Sequence, residues 1–150
     1  MSELSINLKW NLGEGEFTPG KIPNSHEITF NQDFKIISDA APDWGGNPSN
    51  TNPEQALAAS VSSCHMMTFL ALAAKMKWPV SSYEDKADAF LGKNSKGQMA
   101  VTKITLHPVV AFEGDFSIGD QEMKDMHDRS HRYCFVANSL SDEVGFEVVL

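Results

Sequence analysis

Apolar and polar positions alternate at the start of the chain. Ile6, Leu8 and Trp10 are separated by Asn7 and Lys9, the period-two signal of a strand with one buried face. Glu27–Phe30 and Phe34–Ser38 repeat the pattern on either side of the polar turn Asn31-Gln32-Asp33, which predicts a hairpin. The stretch 41–51 is dense in Gly, Pro, Asn and Ser and predicts a loop.

The pattern then changes period. Asn52 can cap a helix, Pro53 suits its first position, and Glu54 favours its positive end. Ala, Leu and Met dominate to about Lys77, and Pro79 stops the helix. Its surface is apolar nearly all round, which predicts burial at the protein centre or at a subunit contact. Strands follow over Val80–Leu91 and Met99–Phe112, joined by the turn Lys93–Gly97. A second helix is predicted over about Asp120–Leu140, then a closing strand over Gly145–Leu150. This order is that of an α+β fold.

Composition narrows the class. A chain of 150 residues suits one domain, 1–150, and 41% hydrophobic residues supply a core. The formal net charge of -8 opposes a phosphate backbone, so nucleic acid is not an expected partner. The start lacks a signal-peptide pattern. The longest apolar stretch, 56–76, is interrupted by Ser60, Ser62, Ser63, His65 and Lys75, so no membrane span is expected. These features point to a cytoplasmic protein. Two cysteines in a reducing compartment are inert core thiols, metal ligands or a redox pair.

Cys64 lies within the first helix, in Ser62-Ser63-Cys64-His65-Met66-Met67. A buried structural thiol and a reactive one both fit this setting, because a reactive thiolate needs a stabilising partner that neighbouring His65 need not provide. In the second helix His127, His131 and Cys134 fall at i, i+4 and i+7 and share a face. Zinc, with Cys64 or His65 as a fourth ligand, is one reading; ordinary hydrogen-bonded histidines are the other.

The stretch Asn52–His65, NPEQALAASVSSCH, resembles the central helix of the OsmC/Ohr family, the osmotically inducible and organic-hydroperoxide-resistance proteins. His131–Ser139, HRYCFVANS, resembles that family's second-cysteine motif, and Thr102–Pro108 its long strand. The resemblance implies an OsmC-like fold with antiparallel sheets around two central helices, in an intertwined homodimer. It implies that Cys64 reduces an organic hydroperoxide, that Cys134 resolves the oxidised Cys64 as a disulfide, and that an external dithiol restores both. It places Glu54 in the polar network of the site and calls for no metal or organic cofactor. Family members also use an N-terminal arginine to stabilise the thiolate. Here the only arginines are Arg129 and Arg132, beside Cys134, and the N-terminal half offers Lys9, Lys21, Lys35 and His26. A non-catalytic ligand-binding or redox-sensing protein of the same family is the alternative this departure favours.

Overall fold

The computed structural model describes residues 4–150. The chain forms two compact units that divide after Ala56.

The first unit is a three-stranded antiparallel sheet of β1 (Ile6–Lys9), β2 (His26–Phe30) and β3 (Phe34–Ser38), in that order. The predicted hairpin turn is present, with Asn31 at φ 54°, a left-handed position that asparagine tolerates. Pairing aligns Ile6 with Phe30 and Phe34, and Leu8 with Ile28 and Ile36. One face of the sheet therefore carries these six apolar side chains, with His26 and Ser38 paired at its end. Its centre, Ile28, Phe30 and Ile36, is partly buried, while Ile6, Leu8 and Phe34 are 48%, 59% and 62% exposed. The half-buried β1 expected from the sequence is thus exposed along its length. The opposite face carries Lys35, which donates to the Glu27 carboxylate at 3.0 Å. The loop after β3 includes a short 3-10 turn, Pro42–Trp44.

Helix α1 (Pro53–Lys75) starts as its sequence dictates, with the Gln55 N–H donating to the Asn52 side chain at 2.9 Å. It ends where Lys77 turns left-handed at φ 59°. Its buried residues Ala58, Val61, His65, Phe69 and Ala73 recur every three or four positions and form a single stripe. Within the single chain burial is one-sided: Met67, away from the stripe, is more than half exposed. The reading that no stretch is apolar enough in length to span a bilayer needs correcting, though not the expectation of no span. Over 18 residues α1 reaches a mean hydropathy of 1.5, enough in length and composition for a span. Its stripe nevertheless packs into the core of the second unit.

That unit (Leu57–Leu150) adds β4 (Val80–Glu84), β5 (Asp88–Lys93), β6 (Met99–Leu106), β7 (Val109–Phe112), α2 (Asp120–Tyr133), α3 (Phe135–Asn138) and β8 (Gly145–Val148). Both long strands expected from the sequence are split. Asp85 separates β4 from β5, its carboxylate accepting from Ser62 Oγ and, at 2.7 Å, from the His107 N–H. Pro108, which has no N–H to give a ladder, separates β6 from β7. The second helix breaks at Cys134, which is extended (φ −75°, ψ 113°) between α2 and α3. Strand β4 pairs with β7, and the order β5-β6-β8 makes the other sheet. The β6–β8 pair is parallel, while the other strand pairs are antiparallel as expected. A β8 that follows α2 and α3 reaches β6 through a helical crossover, the connection a parallel pair requires.

Two clusters make the core of this unit. Val61 packs with Ile104 and Leu106 of β6, flanked by Leu57, Phe146 and Val148. Phe69 and Ala73 pack with Met126 of α2, flanked by Trp78, Val80 and Tyr83. Helix α1 thus faces β6 and β8 with one half and β4, β7 and α2 with the other.

Candidate active site

Cys64 and Cys134 come together although 70 residues separate them. Cys64 sits on α1 and is half-buried; Cys134 is fully buried at the joint between α2 and α3. Both thiols are free. The two thiols lie close enough to interact, and their burial differs. Burial, reinforced by the proximity of Cys64, pushes the Cys134 thiol up to about 11. Cys134 therefore holds its proton at neutral pH. The break in the helix matters here. Cys134 caps α3, and the Ala137 N–H donates to its sulfur at 3.4 Å. Cys134 thus leaves the helical face it was expected to share with His127 and His131.

The histidines pair with each other. His65 Nε2 and His127 Nδ1 lie 2.9 Å apart, and both rings are essentially fully buried. Desolvation, the largest cause for each, lowers His65 to about 3 and His127 to about 4. The rings are therefore neutral at pH 7, and one donates to the other. The second ring nitrogens, His65 Nδ1 and His127 Nε2, are buried without partners. Neither nitrogen of His65 bonds to Cys64, so the sequence neighbour of the thiol is not its partner. His131 stacks on Phe146 with ring centroids 3.8 Å apart and is also lowered by burial. No set of three His, Cys, Asp or Glu residues among the described ones is arranged to hold a metal, which removes the support for zinc.

Glu54 stands in the first turn of α1, within the first unit. It is partly exposed, yet its Oε2 is buried and has no hydrogen-bond partner. Helix-end stabilisation alone leaves this atom unexplained. Glu54 lines a cavity of about 830 Å³ with Trp10, Trp44, His26 and Asp39, all of the same unit. Of the cations offered in place of the family arginine, Lys21 pairs with Glu16 at 3.2 Å and Lys35 with Glu27 at 3.0 Å, while His26 reaches the cavity of Glu54. In the sequence His26 is one basic residue among several, and the only local signal for the aromatic lining is that Trp10 and Trp44 border Gly- and Pro-rich loop sequence.

The family model for OsmC-like proteins matches residues 46–149. An OsmC-like protein of unknown function from Vibrio cholerae is 40% identical, with a TM-score of 0.89 over 99% of this chain and 100% of that one. An organic hydroperoxide resistance protein from Elizabethkingia anophelis, with thiocyanate bound, shares 18% identity and a TM-score of 0.71 over 98% of this chain and 96% of that one. One from Legionella pneumophila shares 17% and 0.67 over the full length of both chains. At those identities the last two speak for the fold. No curated protein matches. With a family match over more than half its length, a 40% identical relative along essentially all of it, and both cysteine motifs in place, the chain belongs to the OsmC-like family.

Proposed function

We propose that this protein is a thiol-dependent reductase of organic hydroperoxides, working as one domain in a cytoplasmic homodimer without metal or organic cofactor. The observation that carries the proposal is the asymmetry of the thiol pair. Cys64 is partly accessible, while Cys134 is sealed in and held protonated beside it. A peroxide can reach the first and not the second.

The Cys64 thiolate attacks the distal peroxide oxygen. The O–O bond breaks, an alkoxide leaves and is protonated to the alcohol, and Cys64 becomes a sulfenic acid. Cys134 then attacks the Cys64 sulfur. Its proton and the sulfenic hydroxyl leave as water, and the Cys64–Cys134 disulfide forms. An external dithiol returns both thiols by exchange and is itself oxidised to a disulfide. Glu54 contributes to the polar network that orients the substrate.

The test is consumption of cumene hydroperoxide in the presence of a dithiol. Wild type should turn over and form an intramolecular disulfide visible by mass. Cys64→Ser should consume none, because a serine hydroxyl is a poor nucleophile at neutral pH. Equal consumption by wild type and Cys64→Ser would sink the proposal. A second reading, a ligand-binding or redox-sensing protein without turnover, draws on the unpartnered Glu54 oxygen and the absent arginine. Stoichiometric oxidation without turnover would favour it.

A further inference from the structure

We infer that Asn138 is a positioning residue for the thiol pair: its side chain holds the break between α2 and α3 open and so keeps the Cys134 sulfur within reach of Cys64. The inference rests on reading the two cysteines as a redox pair. It goes beyond that reading by assigning the group that sets how readily they join.

The local sequence gives α2 no reason to stop at Tyr133. Neither glycine nor proline occurs between Asp120 and Leu140. An unbroken helix would carry Cys134 onto the face of His127 and His131. The chain instead turns extended at Cys134, with ψ 113°.

Two helical hydrogen bonds are exchanged for others at this turn. In a continuing helix the Arg132 carbonyl would accept from the Val136 N–H, and the Tyr133 carbonyl from the Ala137 N–H. Here the Arg132 carbonyl accepts from the Asn138 side chain at 3.1 Å, and the Ala137 N–H donates to the Cys134 sulfur at 3.4 Å. A carbonyl only accepts, so Nδ2 is the Asn138 atom that faces it. The Asn138 backbone N–H donates to the Cys134 carbonyl at 3.0 Å. Any helix makes that second bond. The side-chain bond ties the end of α2 to the end of α3 across the break, and Asn138 thus grips the chain on both sides of the Cys134 peptide. Fixing one thiol beside the other raises the effective concentration at which they react.

Equilibration of the full chain in glutathione buffers, read by thiol alkylation and mass, tests this without peroxide. Glutathione disulfide takes two electrons from Cys64 and Cys134, which join as a disulfide, and their two protons pass to the two glutathione thiols released. Asn138→Asp keeps the size and removes the donor. It should favour the dithiol about tenfold over wild type, about 30 mV toward a more oxidising potential. Asn138→Ala, at an exposed position, should shift it in the same direction. Ser139→Ala is the control: it removes a side-chain bond of 2.9 Å to the Phe135 carbonyl inside α3 and none to α2, and should leave the equilibrium within about twofold. With cumene hydroperoxide, Asn138→Asp should form the Cys64 sulfenic acid as fast as wild type and keep it about tenfold longer, read by dimedone capture. The expected shift in a protein that consumes no peroxide would end the peroxidase reading and uphold this one. Equal equilibria for Asn138→Asp and wild type, an equal shift in Ser139→Ala, or a wild type that forms no Cys64–Cys134 disulfide in any buffer would each overturn it.

Discussion

Two buried imidazoles determine how this protein meets acid. His65 and His127 are lowered to about 3 and about 4, against an ordinary value near 6.5. Below pH 6.5 the unfolded chain binds protons that the folded one refuses, so stability falls as pH falls until the folded values are reached. At pH 5 each ring costs about 2 kcal/mol, and the hydrogen-bonded pair together about 2–4. Asp85 and Asp128 oppose the effect at His127, while His127 and His131 reinforce it at His65. The carboxylates lowered by hydrogen bonds, Asp39, Glu143 and Glu147, act only below their ordinary values near 4. Urea midpoints should therefore drop between pH 7.5 and pH 5, and His65→Leu with His127→Leu should flatten that slope. An unchanged wild-type midpoint would contradict the burial of the rings. A second expectation at this scale concerns Cys134→Ser. Without the resolving thiol, one equivalent of peroxide should leave Cys64 as sulfenic acid and further equivalents should drive it to sulfinic acid, detected as added oxygen masses. Both cysteines were legible as candidates because their motifs are local. The His65–His127 bond was not, because 62 residues separate partners that meet only through tertiary packing.

The elements divide by the same rule. The start of α1 was legible because Asn52, Pro53 and Glu54 act within one turn. The break between β4 and β5 was illegible, since the carboxylate of Asp85 reaches Ser62 and the His107 backbone across more than 20 residues. The break at Pro108 carried a signal that a continuous strand over 99–112 overrode. The break at Cys134 had none, since neither Gly nor Pro marks it. The stripe on α1 makes an energetic prediction. Phe69 is fully buried against Tyr83 and His127, with centroids 5.5 and 4.6 Å away. Phe69→Ala should cost about 3–5 kcal/mol in chemical unfolding. Met67→Ala, on the exposed face, should cost well under 1 kcal/mol if that face meets only water. A larger loss at Met67 would mean that another surface covers it.

That contrast bears on the assembled molecule. The sheet of the first unit presents Ile6, Leu8, Ile28, Phe30, Phe34 and Ile36 on one face, and Ile6, Leu8 and Phe34 are about half exposed or more. A contiguous apolar face of six side chains is more than a soluble monomer ordinarily leaves open. The second unit likewise exposes Met67, Phe90 and Leu91. A homodimer, as the family resemblance implies, offers each of these surfaces a partner of matching chemistry. Light scattering at micromolar concentration should then return twice the 16.5 kDa chain mass. Leu8→Lys with Phe34→Glu places two charges on the apolar face at positions already exposed in the single chain, so their cost falls on association rather than on folding. This variant should shift the mass toward one chain while leaving the far-ultraviolet dichroism of each unit in place. A wild-type mass of one chain would remove the dimer. A variant that stays dimeric would move the contact away from this sheet and onto the exposed flank of α1.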